Sequence, residues 1–237
     1  MSFMKRIYNK SNLCKGNTYH LEEKYYIHLI KVMRLNIGEQ ISLFNEENGE
    51  WIAKIIDIKK NSLIAEVLEQ SLPPEITADI SLLFSPIKYL NSESVIRQST
   101  EIGIKSLYPT KFQRTVVNKI NLSKFEAYGV GAAQQSGRLS LPTIFQMEKL
   151  YNQKHLLQSS NVLMFDENLK GISIDEVPKK NFSDNILVII GPEGGFEDEE
   201  RKFIEFHSKN FINIKLGSQI LKADTAVIAA LSLTFHF

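Results

Sequence analysis

A small β-rich unit followed by an α/β layer is the fold class predicted from three features of the 237-residue chain. Short strand patterns crowd residues 1–74, and Pro73-Pro74 then breaks the chain. Beyond that break, apolar strand-like runs alternate with helical segments, as a parallel sheet covered by helices requires. The clearest such run is Ile186-Leu-Val-Ile-Ile190, bounded by Asn185 and Gly191, whose unbroken apolar character fits a strand buried on both faces.

Taken in order, Lys5-Arg-Ile-Tyr8 reads as a short strand and residues 21–33 as a helix with an acidic first turn. The apolar set Tyr26, Ile27, Ile30, Val32 and Met33 is near helical spacing, which leaves Lys24, Lys31 and Arg34 to find water or a phosphate. Three strands are expected at 41–44, 51–58 and 63–68. Asn48-Gly49 marks a hairpin between the first two, and Lys60-Asn61 a turn before the third. A short sheet that must hide its edges commonly closes into a small barrel, so a β-barrel domain over 1–74 is expected.

Residues 75–237 form the second domain. A strand at 80–84 ends before Pro86, and Asn91 or Ser92 can cap a helix running to Thr100, with Gly103 as its left-handed terminator. The next strand, 104–108, is closed by Pro109. Ser123-Lys-Phe-Glu126 has the form of a capping box opening a helix toward Ser136, thinned by Gly129, Gly131, Ala132 and Ala133 so that something packs close. Three strand-then-loop units follow: 161–165 with Asp166-Glu167-Asn168, 186–190 with Gly191-Pro-Glu-Gly-Gly195, and 211–216 with Gly217-Ser218. An Ala-rich C-terminal helix is expected over 220–231.

The glycine loop sits where open α/β sheets bind ligands, outside the carboxyl end of a strand. It carries neither the Gly-x-Gly-x-x-Gly nor the Gly-x-x-x-x-Gly-Lys-Ser/Thr pattern. Glu193 inside it and Glu197, Asp198, Glu199 and Glu200 just after it would repel a pyrophosphate, so a neutral or cationic ligand suits it better. The same residues read equally as a plain turn. One cysteine and five histidines without ligand spacing argue against a metal site, so none is expected. With no secretory or membrane-spanning pattern, the cytoplasm is the expected compartment. Charge is uneven: residues 1–45 carry seven Lys/Arg against three acids and 88–138 eight against three. Brought to one face, these would form a nucleic-acid footprint; solvated surface charge is the alternative.

Together these residues resemble a known family. Gly191-Pro-Glu-Gly-Gly195 after its apolar strand, followed by Leu216-Gly-Ser-Gln-Ile-Leu-Lys-Ala-Asp-Thr-Ala226, is similar to the SPOUT-class ribosomal RNA small-subunit uridine-N3 methyltransferases. So, in register, are His28-Leu-Ile-Lys-Val-Met-Arg34, Thr100-Glu-Ile-Gly103 and Ala132-Ala-Gln-Gln-Ser-Gly-Arg138. The resemblance implies a PUA-like β-barrel that helps hold RNA and a SPOUT α/β domain with a deep trefoil knot at about 160–237. It further implies a homodimer acting on 16S ribosomal RNA within the assembled small subunit, with S-adenosylmethionine clasped by the three loops. On that reading the cofactor is bound by Phe165, Asp166, Glu167, Ile190, Gly191, Pro192, Glu193, Gly194, Gly195, Leu216, Gly217, Ile220, Leu221 and Thr225. That cofactor is a sulfonium cation without phosphate, in keeping with the acidic loop.

Methylating N3 of uridine requires removal of the imino proton and stabilisation of charge on the uracil carbonyls. Asp224 is the first candidate base and Glu193 the second, although Asp224 also reads as a first-turn helix acid. Arg138 and Lys222 are the candidate cations for uracil or phosphate oxygens. Arg6, Lys31, Arg34, Arg97 and Arg114 are the candidates for holding RNA, each also readable as surface charge, and Glu101 is placed to orient Arg97. The chain departs from the family where Lys222-Ala223-Asp224 replaces Arg-Thr-Glu, and Gln98 and Gln134 replace a Lys and an acid. A catalytically weakened RNA-binding protein of the same fold is therefore an alternative, and an α/β enzyme on a small anionic metabolite a third.

Overall fold

The computed structural model describes residues 4–87, 90–168, 170–178 and 184–235, with Leu90 and Asn91 described by their backbone alone. They fall into two compact units, the first comprising residues up to 76 together with 133–141, the second comprising 77–132 and 142 onward.

In the first unit, β1 (Arg6–Tyr8), β2 (Thr18–Leu21), β3 (Gln40–Asn45), β4 (Gly49–Lys59) and β5 (Ser62–Leu72) form one sheet in the order β1-β3-β4-β5-β2. The β1–β3 pair is parallel and the other pairs are antiparallel. Both end strands feed one core: Ile7 of β1 and Tyr19 and Leu21 of β2 meet Ile41, Leu43, Ile55 and Leu63. Period-two alternation explains why Leu63, Ala65 and Val67 of β5 are the buried ones.

The helix expected over 21–33 is not a single helix. Thr18–Leu21 is a strand, α1 covers only Glu23–Tyr26, and Ile27–Val32 continues in π winding. The wider winding turns Tyr26 and Leu29 inward and leaves exposed Ile27, Val32 and Met33, which α-helical spacing places on the buried face.

Arg6 explains why residues 133–141 belong to this unit and not, as the sequence predicts, to the second domain. Its guanidinium donates to Glu50 Oε1 at 2.8 Å, to the Ala133 carbonyl at 2.7 Å and to the Arg138 carbonyl at 3.0 Å, and lies 4.2 Å over the Phe44 ring. Gln134 donates back to the Arg6 carbonyl at 2.9 Å, and Glu75 Oε1 accepts from the Leu139 and Ser140 amides at 3.1 and 2.8 Å. Arg6→Ala strips two carbonyls of a charged donor and leaves buried Glu50 without its cation. We expect a loss of about 3 kcal/mol in urea-denaturation stability, in the range for breaking a buried pair.

The second unit is a parallel sheet. Its elements are β6 (Ile80–Phe84), α2 (Leu90–Ile102), β7 (Ser106–Lys111), α3 (Leu122–Ser136, whose last residues fall in the first unit), β8 (Thr143–Ile144) and β9 (Glu148–Lys149). After a 3₁₀ turn at Leu150–Gln153 come α4 (Lys154–Ser159), β10 (Asn161–Phe165), β11 (Ile186–Ile190), α5 (Asp198–His207), β12 (Asn210–Ile214) and α6 (Ala223–Thr234). The strand order is β12-β10-β11-β6-β7, with β8 and β9 both pairing on β7. Every residue of β6, β10 and β11 is buried, because alternate side chains serve two cores. Leu82, Leu163, Val188 and Ile190 meet Val95, Ile96, Val227 and Leu231 of α2 and α6, while Leu83, Val162, Met164 and Ile189 meet Leu157 and Ile204 of α4 and α5. Each such side chain contributes about 1.5–3 kcal/mol of burial.

Three local expectations change. Pro109 lies inside β7, not at its end: it pairs with Phe84 on one side, and on the other falls between the short pairings of 106–107 with β8 and 110–111 with β9, where its missing N–H costs no ladder bond. Asn121, not Ser123, caps α3, accepting from the Lys124 amide at 3.0 Å. Ser92 lies within α2 and bonds the backbone of Ile87, and the side chain of Asn91 falls outside the described residues. Gly103 does end α2 with φ 110°.

At the C-terminal edge of β12, Ile214 pairs with Phe165 of β10 on one side and bridges Ile172 on the other. The Ile172 amide donates to Asn213 O and the Lys215 amide to Ile172 O, both at 3.0 Å.

Candidate active site

The carboxyl ends of β10, β11 and β12 converge with the start of α6 around a cleft open to solvent. Phe165, Asp166 and Glu167 line it from β10, Ile190, Gly191, Pro192 and Glu193 from β11, and Leu216, Gln219, Ile220, Leu221, Ala223 and Ala226 from the segment entering α6. Gly194, Gly195 and Gly217 belong to the same loops and Thr225 to the first turn of α6, but none of them is in the lining. Gln219, Ala223 and Ala226 are lining residues that sequence reasoning missed. The three-residue spacing of the two alanines, one helical turn, was the available signal; Gln219 carried none.

The glycine loop is shaped by its supports. A Cβ on Gly191 would stand 2.6 Å from the buried Phe196 ring, and one on Gly195, at φ 77°, would stand 2.1 Å from Glu167 Oε1. Both positions therefore require glycine, one for close approach and one also for the left-handed backbone. Arg114 braces the loop from outside, donating to Gly194 O at 2.5 Å and to Glu197 Oε1 at 2.7 Å. Glu197 and Glu200 form the capping box that starts α5, and Glu200 also accepts from the Gln113 amide at 2.7 Å.

The acids on the β10 side are held by Arg201, which by sequence alone is one more cation of a helix. Its guanidinium bonds Asp166 through two nitrogens at 2.7 and 3.1 Å and reaches Glu167 at 2.9 Å. Burial pushes the Asp166 carboxyl up, but the Arg201 and Asn168 hydrogen bonds outweigh it and hold the group below the ordinary carboxylate range. Burial, then the neighbouring Asp166 charge, raises Glu167. The lining carries three carboxylates and no cation, on an otherwise largely apolar wall, so it can accept a ligand with a cationic centre and an apolar body.

Comparison with known proteins now bears on this site. A family model for an RNA methyltransferase domain matches residues 74–234, and one for an RNA methyltransferase PUA domain matches 26–68. The chain is 32% identical to the ribosomal RNA small subunit methyltransferase E of Rickettsia conorii over 96% of its length and 93% of the relative's. It belongs to the ribosomal RNA small subunit methyltransferase E family. A solved structure from Legionella pneumophila, in complex with bound cofactor SAM, is 27% identical with a TM-score of 0.87, covering 98% of this chain and 97% of that one. The fold is shared as well with the methyltransferase E of Neisseria gonorrhoeae, at 23% identity and a TM-score of 0.84 over 97% and 95% of the two chains.

The other candidate residues of this family member are placed as follows. Of the two carboxylates read as a base, Glu193 lines the cleft, whereas Asp224 sits in the first turn of α6, its Oδ1 accepting from the Thr225 amide at 2.9 Å. Lys222 is the exposed N-cap residue of the same helix. Arg138 lies in the first unit, 7% exposed, with Nε 3.0 Å from Ser140 Oγ and 3.8 Å from Glu75. Burial lowers its pKa to about 10, so it remains a cation at neutral pH. The Arg6 guanidinium is committed to Glu50 and two carbonyls, and it serves as an internal tie. Arg97 is paired at 2.8 Å with Glu93, so Glu93 and not Glu101 orients it. Lys31 is exposed 5.6 Å over the Tyr26 ring, and Arg34 is exposed at φ 61°. Among the described residues no group of three or more His, Cys, Asp or Glu is placed to hold a metal, and no helix is long and apolar enough to cross a membrane.

Proposed function

We propose that this protein methylates N3 of a uridine in 16S ribosomal RNA, using S-adenosylmethionine held in the cleft at the ends of β10, β11 and β12. The observation that carries the reading is the lining itself. Three strand ends and the α6 entry converge on one cleft whose charged groups are all carboxylates, and that suits a sulfonium and ammonium cation where it would repel a phosphate. The bound SAM of the similar Legionella pneumophila structure supports the same assignment. Phe165, Ile190, Leu216, Ile220, Leu221 and Ala226 offer apolar walls for an adenosine, and the glycine loop offers backbone groups. S-adenosylmethionine, when bound, supplies the electrophilic methyl group.

The chain's own residues then divide the work. Glu193, on the cleft wall, takes the imino proton, a role its position favours over Asp224. Lys222 steadies the uracil oxygens as negative charge appears there. Arg138, Lys31, Arg34, Arg97 and Arg114 are the cations that engage RNA. The chain acts as a homodimer on 16S ribosomal RNA in the small subunit. The first unit is a PUA-like barrel, a reading supported by the shared core of its two end strands. The second carries a deep trefoil knot over about 160–237, a reading supported by the pairing of β12 with β10 and by the Ile172–Ile214 bridge beyond it.

Calorimetry with S-adenosylmethionine tests the cofactor assignment. Saturable binding in the micromolar to submillimolar range is expected, and no binding at millimolar cofactor would remove the enzyme reading and leave an RNA-binding protein of the same fold. Glu193→Gln is expected to leave cofactor affinity within about threefold and to lower kcat by about 10²–10³, in the range for a general base.

A further inference from the structure

A second cleft opens on the same edge of the parallel sheet and shares no lining residue with the first. It lies between the residues following β6, the loop after β7, and α3, lined by Ile87, Val116, Val117, Ile120 and Phe125 on its apolar side and by Lys119, Lys124, Asn121 and Tyr128 on its polar side. Its cavity volume, about 380 Å³, falls within the range of small-ligand sites. Lys124 is held 5.6 Å from the Tyr128 ring, and Arg97 lies 5.3 Å over that ring while pairing with Glu93.

Charge divides this edge of the sheet. The cofactor cleft has three carboxylates and no cation in its lining, whereas this cleft has two lysines and no carboxylate. Between the two lies a small pocket lined by Ser85, Pro86, Ile87, Arg114, Val116, Pro192 and Glu193. Pro192 and Glu193 also line the cofactor cleft, and Ile87 and Val116 also line the basic one. The walls of this pocket are held in place: Ser85 Oγ and Thr115 Oγ1 are 2.9 Å apart, the Ser85 amide donates to Ile190 O at 3.2 Å, and Arg114 is pinned to Gly194 and Glu197.

We propose that this basic cleft is a subsite for the RNA strand, taking a nucleotide that flanks the acceptor, its phosphate on Lys119 and Lys124 and its base against Val117, Ile120 and Phe125. This rests on the RNA methyltransferase reading of the cofactor cleft and adds to it the path of the substrate. The acceptor base lies at the Pro192–Glu193 wall, and the strand leaves over Ile87 and Val116. A polyanion finds countercharge in this lining and none in that of the cofactor cleft. Unstacked RNA bases pack readily on apolar and aromatic surfaces while cations fix the backbone, so one occupant satisfies both halves of the lining.

The test uses the full-length protein, S-adenosylmethionine and small-subunit ribosomal RNA from cells lacking the protein. Lys119→Glu/Lys124→Glu changes two exposed side chains, and Val117→Trp fills the apolar wall. Both variants are expected to bind S-adenosylmethionine with wild-type affinity and to lose at least about 30-fold in kcat/KM for RNA. The double charge reversal should also flatten the salt dependence of RNA binding by about 0.7 in log–log slope, for the one phosphate no longer neutralised on a single strand. Wild-type kcat/KM and slope in both variants, with the wild-type protein methylating RNA, would overturn the subsite and leave the activity standing. An inactive wild-type protein would instead overturn the methyltransferase reading, while the salt slope still reports on the lysines.

Discussion

Arg201→Leu is expected to lower stability by about 3–5 kcal/mol and to abolish S-adenosylmethionine binding. Asp166 has no exposed side-chain surface and relies on Arg201 at 2.7 Å, and Glu167 shares the same guanidinium at 2.9 Å. Removing the cation leaves two adjacent carboxylates without countercharge, which is the costly way to break a buried pair. It also frees Glu167, whose Oε1 accepts from the Phe196 amide at 3.2 Å and so ties the β10 loop to the glycine loop. The pH dependence has a definite sign. In the wild-type protein the lowered pKa of Asp166 contributes stability above the ordinary aspartate range, and this is lost as pH falls through the lowered folded value. In the variant both acids have folded pKa values above their unfolded ones, so their contribution reverses and stability falls as pH rises. Urea denaturation should therefore find the deficit larger at pH 8 than at pH 5. An equal deficit at both would show that the loss is packing alone.

Ala226→Trp should separate the cofactor cleft from the fold. Ala226 faces the cleft one helical turn after Ala223, and an indole there occupies the space assigned to the ligand. The expected result is a loss of at least about 100-fold in S-adenosylmethionine affinity, close to 2.8 kcal/mol, with stability reduced by no more than the roughly 1–3 kcal/mol of overpacking. Ala226→Ser, which adds one hydroxyl, should bind within about threefold of wild type. Calorimetry alongside a denaturation curve reads both quantities. Undiminished affinity in the tryptophan variant would place the cofactor elsewhere.

The parallel layer is legible in the sequence because burial on both faces writes itself as unbroken apolar runs: 80–84, 161–165 and 186–190 are strands at the bounds their sequence predicts. The three loops can likewise be named, since each follows such a run. What is not legible depends on partners distant in the chain. Arg201 looks like one more helix cation until Asp166, 35 residues away, is placed against it. Arg6 looks like a surface arginine until Ala133, 127 residues on, supplies its acceptor. The π winding at Ile27–Val32 has no apolar period of its own to separate it from a helix. The strand Thr18–Leu21 is hidden because Leu21 suits either element and only pairing with β5 decides. The basic cleft escapes notice because Lys119 and Lys124 come from loop and helix residues whose spacing signals nothing, while the apolar wall opposite them includes Ile87, some thirty residues earlier.

The most direct test of the central claim is methyl transfer from labelled S-adenosylmethionine to small-subunit ribosomal RNA prepared from cells lacking the protein, followed by nucleoside analysis. The account predicts label in N3-methyluridine, reduced by Glu193→Gln and absent with Ala226→Trp. Label on a ribose or a cytosine, or no transfer by a protein that binds the cofactor, would contradict it.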